Sequence, residues 1–402
     1  MTMRISTAQM HLNSLSAMRT RQSEIGKLQE QISSGVKLTR GEDDPVGMST
    51  ALRLEHTLAS LKQFDSNSTV LGNRLRGQET ALSDAGDVLQ RARDLTIQAS
   101  NGVLSESDLH SIAVEMRGLR ASLLQIANRD DGTGRSLFAG NRDGVVPFID
   151  SNGNVAYLGD DGQNNVDVAP SVAIADTDPG SAVFLRVPTG DGVSRAAAAP
   201  GNIGSAKLDA AQVADQALWG GSTLQLRFTS STSYEVLDGS GNPLTPPVAG
   251  AWTPGQTVEA KGVQFTVSGT PAAGDSFTLQ KAPNQDIFAT LQQLVDALDS
   301  PGSSDADIAR RVNALRTSQK DLVSAQDHLL DIRSSTGIRR NDLESSDTAR
   351  SADGVSLSEA ISGLRDTDLA EAIGQLKLNE TALDAAQQLM ARVQRSSLFD
   401  LL

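Results

Sequence analysis

The chain has 402 residues, no cysteine, and 35 Lys plus Arg against 49 Asp plus Glu, a formal charge of −14. These values exclude a disulfide framework, a Cys-ligated metal centre and a thiol nucleophile. They also argue against nucleic acid as a partner, because phosphate binding relies on Lys and Arg. No apolar run approaches the ~18 residues of a membrane span, and the N-terminus lacks the basic patch and unbroken apolar stretch of a cleaved secretory signal.

In chain order, the first 35 residues predict an amphipathic helix. Met18, Ile25 and Ile32 recur at sevens, with Leu15 and Leu28 beside them. Ser33-Ser34-Gly35 separates this helix from the next. After Glu42-Asp43-Asp44-Pro45 a second helical pattern runs to about Ser100. Leu54, Leu61, Leu75, Leu82 and Leu89 form its seam, Ser68 fills the polar slot, and Thr57, Phe64, Leu71, Gln78, Ala85 and Ala92 are the companions. About 55 residues at ~1.5 Å each would make a rod of roughly 80 Å. A third helix, 105–128, carries Leu109, Ile112, Met116, Leu119, Leu123 and Ile126.

The composition then changes. Between Gly144 and Asp286 lie 11 of the 13 prolines, 18 of the 35 glycines and nine of the 13 aromatics, with six Lys or Arg against 14 Asp or Glu. That is a β-rich acidic insert in a helical frame. Strands are expected at 154–158, 166–174, 183–187, 223–229, 234–237, 257–267 and 277–280, with a short helix at 209–218. The turn chemistry between them, as in Asp238-Gly239-Ser240-Gly241-Asn242-Pro243, suggests antiparallel pairing. One compact unit and two are both compatible with the pattern.

Helical periodicity returns at 286–299 with Ile287, Leu291, Leu294, Val295 and Leu298, and then with Ile308, Leu315, Leu322 and Leu329 at sevens, joined by Val312 and Ile332. Ser351-Ala352-Asp353-Gly354 reads as a separator. Beyond it Leu369, Leu376, Leu383 and Met390 recur at sevens, with Ala372, Ala386 and Val393 as companions and Asn379 as the polar exception, before the close Ser397-Leu398-Phe399-Asp400-Leu401-Leu402. The expected class is α+β: a long α-helical bundle or coiled-coil rod formed by both chain ends, with a β-rich central insert. Its parts are an N-terminal amphipathic helix (1–35), one half of the rod (36–143), a solvent-facing insert (144–284), the other half of the rod (285–354) and a C-terminal amphipathic helix (355–402).

No constellation for chemistry emerges, so the chain does not read as an enzyme. His11, His56, His110 and His328 lack metal-ligand spacing. There is no Gly-x-Ser-x-Gly elbow and no phosphate-binding lysine loop. Gly132-Thr133-Gly134 lacks the third glycine and the preceding strand of a dinucleotide site. Asp150-Ser151-Asn152-Gly153-Asn154 with Asp161 partly matches a calcium loop, but Val155 stands where glycine is required. Ordinary hairpin turns explain these residues, so neither a cofactor nor a metal is expected. Two further readings stay open from the residues: a secreted binding module, in which the acidic insert grips a carbohydrate or a host surface, and an enzyme carried on the insert.

The order helix, rod, insert, rod, helix resembles the flagellin superfamily, as do Met3-Arg4-Ile5-Ser6-Thr7 and Gln31-Ile32-Ser33-Ser34-Gly35. Within it, Asp43-Asp44-Pro45, Gly134-Arg135-Ser136-Leu137-Phe138-Ala139-Gly140, Tyr157–Gln163, Gly274-Asp275-Ser276-Phe277 and the C-terminal close are similar to hook–filament junction proteins rather than flagellins. The resemblance covers both helical flanks and, more loosely, the insert; 188–221 departs from it. It implies a flagellin-like fold and a structural adaptor between hook and filament, with a flagellin filament subunit as the alternative. It further implies type III flagellar export from the cytoplasm, an extracellular place on the flagellum and a cytoplasmic export chaperone on the C-terminal helix. The implied partners are the other hook-associated junction protein, flagellin and further copies of itself in a ring.

The seams of the two terminal helices have little of the chain left to cover them, so disorder before assembly and burial on joining the ring are expected. The contact positions expected on this reasoning are Leu15, Met18, Ile25, Leu28, Ile32, Leu369, Ile373, Leu376, Leu383, Met390, Leu398, Phe399 and Leu402.

Overall fold

The protein is represented by a computed structural model that describes residues 7–42, 44–100, 104–151, 153–300 and 302–399; of Thr7, Ala8, Met10 and 393–399 only the backbone is described. The chain divides into two compact units, one formed by Met1–Ser66 with Ser346–Leu402 and the other by Asn67–Ser345.

Helix ends fall where the local chemistry sets them. Helix α1 (Thr7–Ser34) ends at Gly35, whose φ of +72° favours glycine. Helix α2 (Pro45–Ala99) begins with Asp44 as cap: its Oδ1 accepts from the amides of Val46 and Gly47 at 3.1 and 2.9 Å, and Pro45 follows where no amide is needed. Helix α3 (Glu106–Ala127) starts in a reciprocal capping box between Ser105 and Asp108.

The first hairpin is β1 (Phe148–Ser151) with β2 (Asn154–Tyr157). The stretch 166–174, expected as one strand, is a second hairpin, β3 (Asn165–Ala169) with β4 (Val172–Ala175), because Ser171 turns at φ +64°. The expected strand at 183–187 is instead a π-helical turn, Ser181–Leu185, followed by β5 (Val187–Pro188). Its apolar run is buried among aromatic rings, and burial alone does not choose between helix and strand.

The chain continues through β6 (Ser194–Ala198) and β7 (Lys207–Val213). The helix expected at 209–218 shrinks to α4 (Gln216–Trp219), since Leu208 and Ala211 pair with the neighbouring strand instead. Strands β8 (Leu224–Ser230), β9 (Ser233–Asp238) and β10 (Pro243–Ala251) follow. The segment 257–267 splits at Lys261 and Gly262, both at positive φ, into β11 (Thr257–Ala260) and β12 (Val263–Ser268). Strand β13 (Ser276–Lys281) and β14 (Asn284–Gln285) complete the set.

Helix α5 (Ile287–Asp299) is capped by Asp286; α6 (Asp305–Arg365) and α7 (Leu369–Phe399) close the chain. Helix α6 runs unbroken through 351–354, so the expected separator there is an exposed polar stretch of helix. The break lies at Asp366–Asp368, where Asp368 Oδ1 takes the amides of Ala370 and Glu371.

In the unit 67–345, helices α2, α3, α5 and α6 bury one apolar cluster. Leu75, Leu89, Leu315 and Leu322 are inaccessible, as the sevenfold seams require. Helices α2 and α6 run antiparallel, Gln78 meeting Thr336 and Gln90 meeting Gln326. Phe138, Phe148, Tyr157, Phe184 and Phe288 close the cluster, with ring centroids 5.0 to 6.0 Å apart. A second cluster fills the insert, where an antiparallel five-stranded sheet (β10-β9-β8-β13-β6) and a three-stranded sheet (β11-β12-β7) share one core. Leu224, Leu226 and Phe228 on β8 and Val263, Phe265 and Val267 on β12 alternate inward. These two sheets form one unit, whereas the hairpins β1/β2 and β3/β4, also inside 144–284, pack against the helices instead.

The Leu137–Gly140 turn and the Tyr157–Gln163 segment clasp each other. Phe138 is buried, and the Ala139 carbonyl accepts from the Asp160 amide at 3.1 Å. Gly140 sits at φ +69°, where a Cβ would lie 2.3 Å from the Asp160 carbonyl oxygen. The hydroxyl of Tyr157 donates at 2.9 Å, with the carbonyls of Phe138 and Asp160 as acceptors. In Gly274–Phe277, Asp275 accepts from the amides of Ile203, Gly204 and Ala272, while Asn202 brackets Ser276.

Candidate assembly surface

In the other unit, α1 and α7 pack side by side. The Thr367 amide donates to the Gly35 carbonyl at 2.9 Å, the Lys37 amide to the Arg365 carbonyl at 2.7 Å, and Arg21 Nη1 to Asn379 Oδ1 at 2.6 Å. These pairs make the helices antiparallel and set their register, with Ile25 alongside Leu376 and Met18 alongside Leu383. Leu15, Met18, Ile25, Leu28, Ile32, Leu376, Leu383 and Met390 are all half-buried. Two helices that meet along one seam leave the flanks of each apolar stripe uncovered, which is why these side chains are only half-buried.

Leu369 and Ile373 fall off the shared seam, 50% and 53% exposed, and Ala372 takes the buried slot between them. Leu12, Leu378 and Leu389 are more exposed still, at 63%, 72% and 62%. Sequence reasoning missed these three because they lie outside the sevenfold series. The side chains of Leu398 and Phe399, and Leu402 altogether, lie outside the described residues.

The other candidate residues are absorbed by structure. Asp150 and Asp161, the ends of the partial calcium spacing, serve different cations. Arg120 Nη1 donates to Asp150 at 2.5 Å and holds its carboxyl below the usual range. Asp161 accepts from Ser181 and Arg186, which lower its pKa in the same way. His110 meets Asp299, and His328 Nε2 donates to the Ala182 carbonyl. Among the described residues no group of three or more His, Asp or Glu is placed to hold a metal, and no helix is long and apolar enough to cross a membrane.

Inside the unit 67–345 lies a buried polar network that the sequence marked only by Gln78 in a seam slot. Arg74, 4% exposed, donates through Nε to both Asp176 oxygens at 2.8 and 2.9 Å, through Nη1 to Asp131 at 2.9 Å and through Nη2 to Thr177. Burial opposes the Arg74 charge, but the bonds to Asp176 and Asp131 outweigh it and raise its pKa. Burial likewise pushes Asp131 up, yet its bonds from Thr133, Arg74 and Arg135 win and lower it to about 2. Gln78 Nε2 donates to Asp178 and Thr336, Gln78 Oε1 accepts from the Asp178 amide, and Arg339 pairs with Asp178. This network ties α2 and α6 to the loop after β4; its groups are saturated by one another.

Two family descriptions match the flanks: the bacterial flagellin N-terminal helical region over residues 5–143 and the C-terminal helical region over 320–402. Flagellar hook-associated protein 3 of Escherichia coli K12 is 25% identical over 400 residues, 99% of each chain. The Xanthomonas campestris FlgL crystal structure superposes with a TM-score of 0.72 at 37% identity, covering 77% of this chain and 99% of that one. The flagellar junction protein FlgL of Legionella pneumophila gives 0.70 at 27% identity, covering 79% and 100%. Flagellins of Treponema pallidum, Clostridium tyrobutyricum and Proteus mirabilis align over 28–36% of this chain. Helical flanks of the flagellin type, paired terminal helices and an alignment spanning the insert converge on one assignment: the chain belongs to the flagellar hook-associated protein 3 (FlgL) family of the flagellin superfamily.

Proposed function

We propose that this protein is the structural adaptor joining the flagellar hook to the flagellin filament, and that it assembles as a ring through its terminal helices. The observation that carries the assembly reading is the α1/α7 pair, whose eight seam side chains stay half-buried within the chain. Covering the rest of each would stabilise a contact by roughly 1 kcal/mol, or roughly 8 kcal/mol gross before the cost of association. The outward residues Leu369 and Ile373, with Leu398, Phe399 and Leu402 at the chain's close, complete the proposed contact set.

The neighbours in this reading are further copies of the chain, the other hook-associated junction protein on one side and flagellin on the other. A cytoplasmic chaperone holds the C-terminal helix until type III export. The parts proposed from the sequence (1–35, 36–143, 144–284, 285–354 and 355–402) then divide the work: the ends assemble, the helical middle supports and the insert faces solvent. Before assembly the two ends are expected to be disordered in the free monomer.

The test is deletion in the source organism with add-back of the full chain, of a chain lacking 361–402, or of Leu383→Asp. The expected outcome is hooks without filaments and flagellin shed into the medium, repaired only by the full chain. Filaments that persist after deletion overturn the adaptor reading. Loss of every filament subunit would make the chain a flagellin. Normal filaments with Leu383→Asp would show that the seam is not the contact.

A further inference from the structure

Residues 190–282 form a module with its own apolar cluster, separate from that of the helical bundle. The chain enters and leaves it through a narrow stem: β5 pairs with β14, Pro188 opposite Asn284, and Thr189 donates through its amide and its hydroxyl to the Pro283 carbonyl. Beyond the stem, the module meets α6 along one line of polar side chains. Asn313 accepts from the Leu208 amide at 2.9 Å and donates to the Ala206 carbonyl at 3.0 Å. Arg316 and Thr317 donate to the carbonyls of Leu208 and Ala196.

Asp321 is the most heavily bonded member of that line. Its carboxylate, 2% exposed, accepts from the Gly190 amide at 2.7 Å, from Arg195 Nη2 at 2.7 Å and from Arg195 Nε at 3.1 Å. Gly190 reaches it because a residue with a Cβ could not: φ is +66° and the Cβ would stand 2.0 Å from the Ser194 carbonyl oxygen. A cleft lies on each flank of this line. One, of about 630 Å³, is bounded by the 197–202 segment and by α5 and α6; the other, of about 490 Å³, by β6, β7 and α6. Such space is unlike the close packing of a continuous core.

We propose that the β module is a rigid body that rocks on α6 about the β5/β14 stem, with Asp321 as the latch that holds it in the docked position. Separate cores let the module tilt without disturbing the bundle, the paired stem is the pivot, and the flanking clefts leave room for the motion. Releasing Asp321 frees the bonds at the far end of the line, because all of them depend on one rigid placement.

Hydrogen exchange of the full-length protein tests this at three amides. Gly190 bonds to Asp321, Leu208 bonds to Asn313, and Phe228 bonds inside the module to the Asp275 carbonyl at 2.8 Å. In Asp321→Ala and, separately, in Asn313→Ala, both Gly190 and Leu208 should exchange at least about tenfold faster while Phe228 stays within about twofold. Acceleration only at the amide whose own acceptor was removed overturns the rocking body. Acceleration of Phe228 together with the other two also overturns it, since the module would then unfold instead of tilting. If Asp321→Ala does not fold, Asn313→Ala decides alone, read at Gly190.

Discussion

The bundle seam and the terminal seam look alike in the sequence and differ in the structure. Leu75, Leu82 and Leu89 recur at sevens and are at most 2% exposed; Met18, Ile25 and Ile32 recur at sevens and are half-buried. Leu82 and Leu89 lie in a cluster with α3, α5 and α6, and Leu75 is covered by the β3/β4 hairpin and Leu343 of α6, whereas the second series packs against α7. Periodicity thus reports which face of a helix is apolar, and the number of neighbouring helices decides how much of that face is covered. In the bundle, apolar burial is converted into stability of the chain. At the termini much of the apolar face stays uncovered within the chain, and this is the area that the proposed assembly contact would bury.

That contrast can be broken first at Arg74. Arg74→Met would leave Asp131 and Asp176 buried without their cation, and should cost the unit 67–345 about 3–5 kcal/mol in urea unfolding. A loss under about 1 kcal/mol would mean that the network is idle. Next, Leu89→Ala should destabilise the isolated protein by about 2–5 kcal/mol, whereas Leu383→Ala should cost the monomer less than about 1 kcal/mol. Equal costs in the two variants would erase the distinction between the seams.

Acid sharpens the comparison further. The folded pKa of Asp131 lies below its unfolded value of 3.8, at about 2, so the unfolded state binds more protons between these values. The contribution, about 2 kcal/mol, is complete above pH 3.8 and is lost as pH falls through 2. Unfolding followed from pH 5 to pH 2 should show the unit that contains Asp131 losing this increment, and Asp131→Asn should flatten that part of the profile. The smallest effect is expected at Asp44→Ala, which removes the cap of α2 and should cost about 1 kcal/mol. Protection of the amides of Val46 and Gly47 would report it.

Several motifs of the sequence were legible because their chemistry is local. Asp44-Pro45 begins a helix and Gly35 ends one, each by contacts within a few residues. The turns inside 166–174 and 257–267 were hidden, because Ser171 and Lys261 adopt positive φ without being glycine. Strand β6 was invisible too: its run of alanines has little strand preference, and pairing with β13 supplies the reason for it. Strand β10, with its three prolines, lies at the edge of its sheet, where proline can be accommodated.

By itself the sequence determined the α+β class and the helical seams, because periodicity and turn chemistry act over short distances. The tertiary structure alone decided which polar residues are buried. Arg74 meets Asp176 across 102 positions, Gln78 meets Thr336 across 258 and Arg195 meets Asp321 across 126. No local pattern encodes such pairs, since each carboxylate or amide finds its partner only after two distant elements have packed. For the same reason the terminal seam is half covered while Leu75, Leu82 and Leu89 of the bundle seam are fully covered: burial depends on how many neighbours the fold brings up.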